Sequence, residues 1–426
     1  MRIAIVGAGI AGLYCALRLA PHHSVTIFEA NDYPGGHTNT VDVVSDDGAV
    51  AIDTGFIVFN ERTYPNFCGL LAELGVASQA SNMSFSLRCE ATGLEYNGAT
   101  LNTLFAQRLN LMRPSFLKMI ADILRFNREA KELLSGEDDQ LTLGAYLAAQ
   151  RYGECFIDRY ILPMARSIWS APAAQVLDFP ARFFVDFFDR QGFLTIDDRP
   201  QWLAVRGGAR EYVRRLLLAC PRAALRLNSP VSAIHRTSHQ TLLFVAGRSS
   251  ESFDSVFLAC HADKALQILA APTSAERVVL GAFPYAKNEA ILHSDESVLP
   301  RRARARAAWN YHLLADYQNP VALTYDMNIL QSLSAPRRFL LSLNHERAIN
   351  ARKIIRRFSY SHPIYLPAGV AAQRRQREIN GGKRTYYCGA YWRYGFHEDG
   401  VVSAQRALAH FAQDTADAQR DLQRVG

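Results

Sequence analysis

The first thirty residues restrict this chain more than anything after them. Arg2 to Val6 reads as a short buried strand, and Gly7-Ala8-Gly9-Ile10-Ala11-Gly12, a G-x-G-x-x-G, follows it directly. Leu13 to Leu19 continues at helical spacing, Pro21 and His22-His23 end the helix, and Ser24 to Phe28 is a second β-branched strand that stops at Glu29. The unit is therefore β-α-β. Gly7 permits a tight turn, Gly9 lets backbone approach a pyrophosphate, and Gly12 lets helix and strand pack closely. The helix N-terminus, at Ile10 and Ala11, offers free N–H groups and partial positive charge to phosphates. Glu29 stands where a carboxylate accepts from a ribose 2′-hydroxyl, which calls for an unphosphorylated adenosine ribose. A strand, three glycines, a helix and an acid in this order predict a dinucleotide site.

The rest of the composition narrows the class. A chain of 426 residues is long enough for two or three domains of about 150 residues. Hydrophobic residues at 49% allow a sizeable core, with aromatics at 11%. No apolar run is long enough to span a bilayer. Met1 leads straight into a strand, so no secretion leader is expected. The seven cysteines (15, 68, 89, 155, 220, 260 and 388) never form C-x-x-C, which argues against a disulfide scaffold or a zinc ribbon and suits a reducing cytoplasm. No metal-ligand spacing occurs. The net charge of +7 fits an anionic ligand or attraction to anionic lipid, and does not argue for nucleic acid.

Beyond Glu29 the chain reads Ala30-Asn31-Asp32-Tyr33-Pro34-Gly35-Gly36-His37-Thr38, and a second Gly-Gly allows another close backbone approach to a long ligand. This segment resembles the flavin amine oxidase and phytoene desaturase superfamily, in which an acid and a short spacer precede Gly-Gly and Arg or His. Asp53-Thr54-Gly55, with Phe56 after it, looks like the next flavin-side segment of that superfamily. The runs GGHTNTV, DTGFIVFNERTYPN and YYCGAYWRYGFHEDG are similar to a bacterial group of NAD/FAD-binding flavoproteins within it, a group often associated with cyclopropane fatty acyl synthases. The likeness extends from Met1 to about Leu408.

The resemblance implies noncovalent FAD. It implies an α/β fold: a Rossmann-type FAD-binding domain, a parallel sheet flanked by helices, with an inserted α+β substrate domain. The FAD domain falls at 1–75, 201–265 and 380–426, and the substrate domain at 76–200 and 266–379. Gly207-Gly208 looks like the segment that opens a helix back in the FAD domain, and Val231 like the residue whose backbone meets the adenine. Gly389 and the turn Glu398-Asp399-Gly400 correspond to the segment set against the pyrophosphate and the flavin; a plain acidic helix cap is the competing reading of that turn. Two departures weaken amine oxidation. Gly389-Ala390-Tyr391 replaces the Gly-Thr-Glu triplet of amine oxidases, and His397 holds the place of a Tyr of their aromatic cage.

Between the FAD segments, 101–135 and 141–171 read as helical, with Pro114 starting a new helix. Residues 279–292, 305–315 and 320–345 read as strands. The second domain is then an antiparallel sheet with helices on one side. Trp169, Phe183, Phe184, Phe187, Tyr311 and Tyr394 are the candidate substrate pocket, with core packing as the competing use of the Phe cluster. The basic helices of 104–131 are either a solvated face or a contact with the inner face of an anionic membrane. His37, His261, His312 and His397 are the site-adjacent histidines. His397 is the catalytic candidate, as a base or as a donor to the flavin.

A flavin accepts a hydride or two electrons from a positioned substrate. No second G-x-G-x-x-G is present to dock a nicotinamide nucleotide, so the substrate itself is the expected reductant. The resulting expectation is an FAD-dependent oxidoreductase that removes a hydride, two electrons, from an apolar substrate, a fatty acyl or other lipid chain, as an oxidase, a desaturase-like dehydrogenase or a redox-neutral isomerase. Amine oxidation, and a flavin-binding partner of a lipid-modifying enzyme, are the alternatives. Oligomeric state, substrate and electron acceptor stay open.

Overall fold

The computed structural model describes residues 1–45, 48–136, 138–237, 239–315 and 321–425. Five short strands form an all-parallel sheet in the order Ala224–Arg226, Ser24–Phe28, Arg2–Val6, Ser255–Leu258, Thr385–Tyr387. Such a sheet is covered on both faces, so its strands are nearly all apolar. Side chains alternate along the central strand. Ile3 and Ile5 face a layer made by the helices Ile10–Leu19, Arg210–Ala219 and His397–Val425. Ala4 and Val6 face Ile234, Leu243 and Val245 of a three-stranded antiparallel sheet, together with the helices Ala262–Ile268 and Ser274–Gly281.

A second sheet of seven strands runs in the order Ile354–Pro363, Tyr285–His293, Leu340–Leu343, Ala322–Asp326, Trp309–Leu313, Phe85–Cys89, Glu95–Asn97. All its pairings are antiparallel except that between Trp309–Leu313 and Phe85–Cys89. Its apolar face shares one core with the helices Pro114–Glu129, Leu143–Ala149, Leu162–Trp169 and Ala181–Arg190.

Two strand expectations are corrected and one strand is added. Residues 279–281 end the helix Ser274–Gly281, whose Thr273–Glu276 capping box fixes its start. Met327–Leu330 is a helical turn capped by Asp326, so 321–345 is two strands and a turn, with residue 320 outside the described residues. The long strand Ile354–Pro363 was not expected, because its Arg356 and Arg357 hide the alternation; it is an edge strand, where charge on the open side is tolerated.

Candidate active site

A cavity of about 800 Å³ runs between the two sheets, from the glycine turn at one end to a wall of aromatic rings at the other. At the first end Gly7, Gly9, Ile10, Ala11, Glu29, Ala30, Gly35, Gly36, His37, Gly55, Phe56, Val231 and Gly389 all lie on its wall. A methyl group added at Gly9 would meet no protein atom within 4 Å, so that backbone faces open space. At Gly12, by contrast, it would come within 2.0 Å of the Gly7 carbonyl. Gly12 is off the wall; it lets the helix start beneath the turn, as its expected packing use required. Gly35 N–H donates to the Ala8 carbonyl at 2.8 Å and so closes the second glycine pair over the first. This cradle fits FAD: exposed backbone where a pyrophosphate lies, and an acid beside it.

Glu29 is buried, and its two carboxylate oxygens accept from Ala8 N–H at 2.8 Å and Asn31 N–H at 2.9 Å. Each oxygen keeps a further lone pair for a ribose hydroxyl. The other acids are placed differently. Glu398 accepts from Asn66 N–H, Phe67 N–H and the Asn66 amide, which caps the helix Pro65–Glu73. Asp399 accepts from the Tyr394 and Phe396 N–H groups, at 3.2 and 2.9 Å. Gly400 is a packing glycine, since a methyl there would meet Ile10 Cγ2 at 2.7 Å. None of the three is on the cavity wall. The two carboxylates are thus spent on protein backbone, Glu398 on the helix Pro65–Glu73 and Asp399 on the turn before its own helix, and what the turn can still offer a ligand is its helix-terminal N–H groups.

Thr38 and Thr54 are also behind the wall. Thr54 Oγ1 bonds the Asn39 carbonyl at 2.9 Å and lies 2.8 Å from the Tyr360 hydroxyl. Asp53, fully buried, accepts from Thr40 Oγ1, Ala209 N–H and the Gln331 amide. Burial pushes its carboxyl up to about 7. It sits at the start of the helix Arg210–Ala219, the N-terminal position that favours a carboxylate. Gly207-Gly208 thus serves helix and acid packing.

His397 is on the wall, stacked on Phe56 with ring centroids 3.6 Å apart. Its Nε2 lies 2.9 Å from Thr38 Oγ1 and 3.0 Å from the Tyr212 hydroxyl. Burial holds its imidazole down to about 3, so it is neutral, and one nitrogen is committed to the Thr38–Tyr212 pair. A base this weak is poorly matched to proton abstraction near neutral pH. The stacking and the two contacts at Nε2 fix the orientation of the His397 ring against Phe56 on the wall. His37 and His261 do line the cavity, and His362 joins them, with His37 5.7 Å from His261 and 5.5 Å from His362. Burial, with repulsion from a neighbouring ring, holds all three neutral. His312 is elsewhere: its Nδ1 lies 3.2 Å from His345 Nε2 in the second sheet.

The far end is aromatic. Trp169, Phe187 and Tyr394 reach the wall, with Phe193, Trp202, Trp309 and Tyr325. The helix Ala181–Arg190 splits the Phe cluster by its own period. Phe187 faces the cavity, and Phe183, one turn earlier, packs behind the wall against Tyr365 and Tyr394 at 5.1 and 5.0 Å. Phe184 points away and stacks on Phe188 at 4.1 Å in the core. Tyr311 is off the wall as well; Trp309, about 7 Å back along the same strand, takes its place beside Tyr325. His362, Trp309, Tyr325, Phe193 and Trp202 carry no motif; strand register brings four of them here, and the turn after the helix Ala181–Arg190 brings Phe193.

The sequence matches the family model described as flavin containing amine oxidoreductase over residues 10–295. It is 27% identical over 290 residues to a coproporphyrinogen III oxidase of Mycobacterium leprae (strain TN), covering 62% of this chain and 60% of that protein. The fold is similar to that of cyclohexylamine oxidase from Brevibacterium oxydans IH-35A, with a TM-score of 0.71, 18% identity and coverage of 97% of this chain and 99% of that one. It is also similar to a CLA-producing fatty acid isomerase from P. acnes, with a TM-score of 0.70, 15% identity and coverage of 96% and 98%.

Proposed function

From the premise that this chain belongs to the flavin containing amine oxidoreductase family, a family of FAD-dependent oxidoreductases, we propose that it takes a hydride or two electrons from a long apolar substrate, a fatty acyl or other lipid chain. One observation carries the choice of substrate. Among the described residues of the cavity wall the only carboxylate is Glu29, at the ribose end. A protonated amine at the aromatic end would have no counter-charge, and an unpaired buried charge is costly. An apolar chain needs none. The fatty acid isomerase and the amine oxidase share this fold, so the fold is neutral between the two readings.

The roles divide along the cavity. The backbone of the glycine turn binds the pyrophosphate, and Glu29 orients the ribose. Bound FAD supplies the two-electron acceptor. Trp169, Phe187 and Trp309 hold the apolar chain and exclude water from it. The neutral histidines His37, His261 and His362 add no charge to the site at neutral pH.

Anaerobic titration of the flavin-loaded protein tests this. Long-chain acyl lipids should bleach the flavin absorbance or, in an isomerase, leave it unchanged while mass spectrometry shows a shifted double bond. Cyclohexylamine and putrescine should do neither, and NADH should bleach slowly and without saturation. Rapid bleaching by an amine, with lipids inert by both readouts, would replace this reading with amine oxidation.

A further inference from the structure

Residues 101–128 expose apolar side chains where a solvated surface carries polar ones. Leu101 is 76% exposed, Leu109 70%, Leu111 52%, Met112 81%, Leu117 43% and Leu124 49%. These are six of the eleven large hydrophobic residues that stand exposed among the described residues, gathered in one short stretch. Such gathering marks an interaction surface, whereas scattered single residues do not.

The helix Pro114–Glu129 shows how the face is built. Phe116, Met119, Asp122 and Phe126 point into the core. The opposite stripe is Leu117, Ala121, Leu124 and Arg128, with Arg113 just before the helix, and all five are exposed. Arg108 and Lys118 flank the stripe and are exposed as well. The one acid between 101 and 128 is Asp122. It is buried and ion-paired with Lys118 at 2.9 Å and Arg125 at 3.4 Å. The outer face therefore combines apolar tips with cations; the next acid, Glu129 at the end of the helix, is half-buried and pairs with Arg128 at 2.8 Å.

We propose that residues 101–128 form a membrane-docking face that seats on an anionic bilayer, with Leu109, Leu111 and Met112 entering the acyl boundary and Arg108, Arg113, Lys118 and Arg128 lying at the headgroups. The alternation of cations and apolar tips matches the two layers of a lipid surface; a protein partner would need complementary acids of its own. No helix among the described residues is long and apolar enough to cross a membrane, so the contact is with one leaflet. The inference stands whichever substrate the cavity takes.

Co-sedimentation of the flavin-loaded chain with vesicles tests it. Vesicles of phosphatidylglycerol and phosphatidylcholine should carry the protein down at low salt; pure phosphatidylcholine should carry much less, and high salt should release it. R113Q/R128Q should weaken partition roughly 10- to 30-fold, at about fivefold per cation. L109D/M112D should abolish it, while L218D, a change at an exposed leucine on the helix Arg210–Ala219, should not. Flavin content and melting temperature of each variant show that it is folded. Absence of binding to the anionic vesicles, or equal loss in L218D, would overturn the proposal. So would a dimer in sedimentation that L109D/M112D dissolves, which would assign the face to a second copy.

Discussion

At the scale of single residues, the site depends on where each acid spends its lone pairs. Glu29, Glu398 and Asp399 each accept from backbone N–H groups. Only Glu29 does so from the cavity wall, so of the three only its remaining lone pairs face the space a ligand would fill. Replacing Glu29 with Ala should therefore raise the dissociation constant of FAD about 10- to 100-fold, the worth of one hydrogen bond to a charged acceptor at roughly 1.5–3 kcal/mol. Fluorescence titration of the deflavinated protein with FAD measures this. An unchanged constant would mean that the ribose is met elsewhere.

At the scale of elements, the legible parts were those whose physics is local. The turn from Gly7 to Gly12 combines a strand period, a helix period and glycine spacing within a dozen residues, and the acid that ends the second strand follows from it. The Phe cluster was legible as a cluster, but the rotation of Ala181–Arg190 that puts Phe187 outward and Phe184 inward depends on the partners of that helix. Trp309 and Tyr325 face the cavity as a cross-strand pair, and His362 arrives on an edge strand far along the chain; pairing over such distances leaves no local trace. The Phe pair gives a test of the split. Phe184→Ala, a core truncation, should lower stability by about 3–5 kcal/mol in chemical denaturation. Phe187→Ala removes a ring that other aromatics back and a cavity adjoins, so it should cost less stability and instead widen the range of chain lengths bound. Equal losses of stability would place Phe187 in the core and not on the wall.

At the scale of the whole molecule, burial has set many titrations against one another. Seven histidines, His37, His261, His293, His312, His345, His362 and His397, are held neutral chiefly by burial, at about 3 to 4 against an ordinary 6.5. Their folded values are depressed, so their contribution is present above pH 6.5 and is lost as pH falls toward 4, because the unfolded chain binds protons that the fold refuses. Asp53 and Asp399 are shifted the other way, pushed by burial up to about 7 from 3.8. Their contribution is present at low pH and is lost as pH rises from about 4 through 7. Between pH 6.5 and 4 the two sets therefore oppose, seven groups against two, and each is worth at most about 1.4 kcal/mol per pH unit. The histidines win, and the net slope is large beside a typical total stability of about 5–15 kcal/mol. The melting temperature should change little between about pH 7 and 8, where the last of the histidine and of the aspartate titrations run against each other, and should fall steeply below about pH 6. Scanning calorimetry across that range checks it. A melting temperature that rose between pH 6.5 and 5 would show that the two aspartates outweigh the histidines, and that several of these rings are charged in the folded chain.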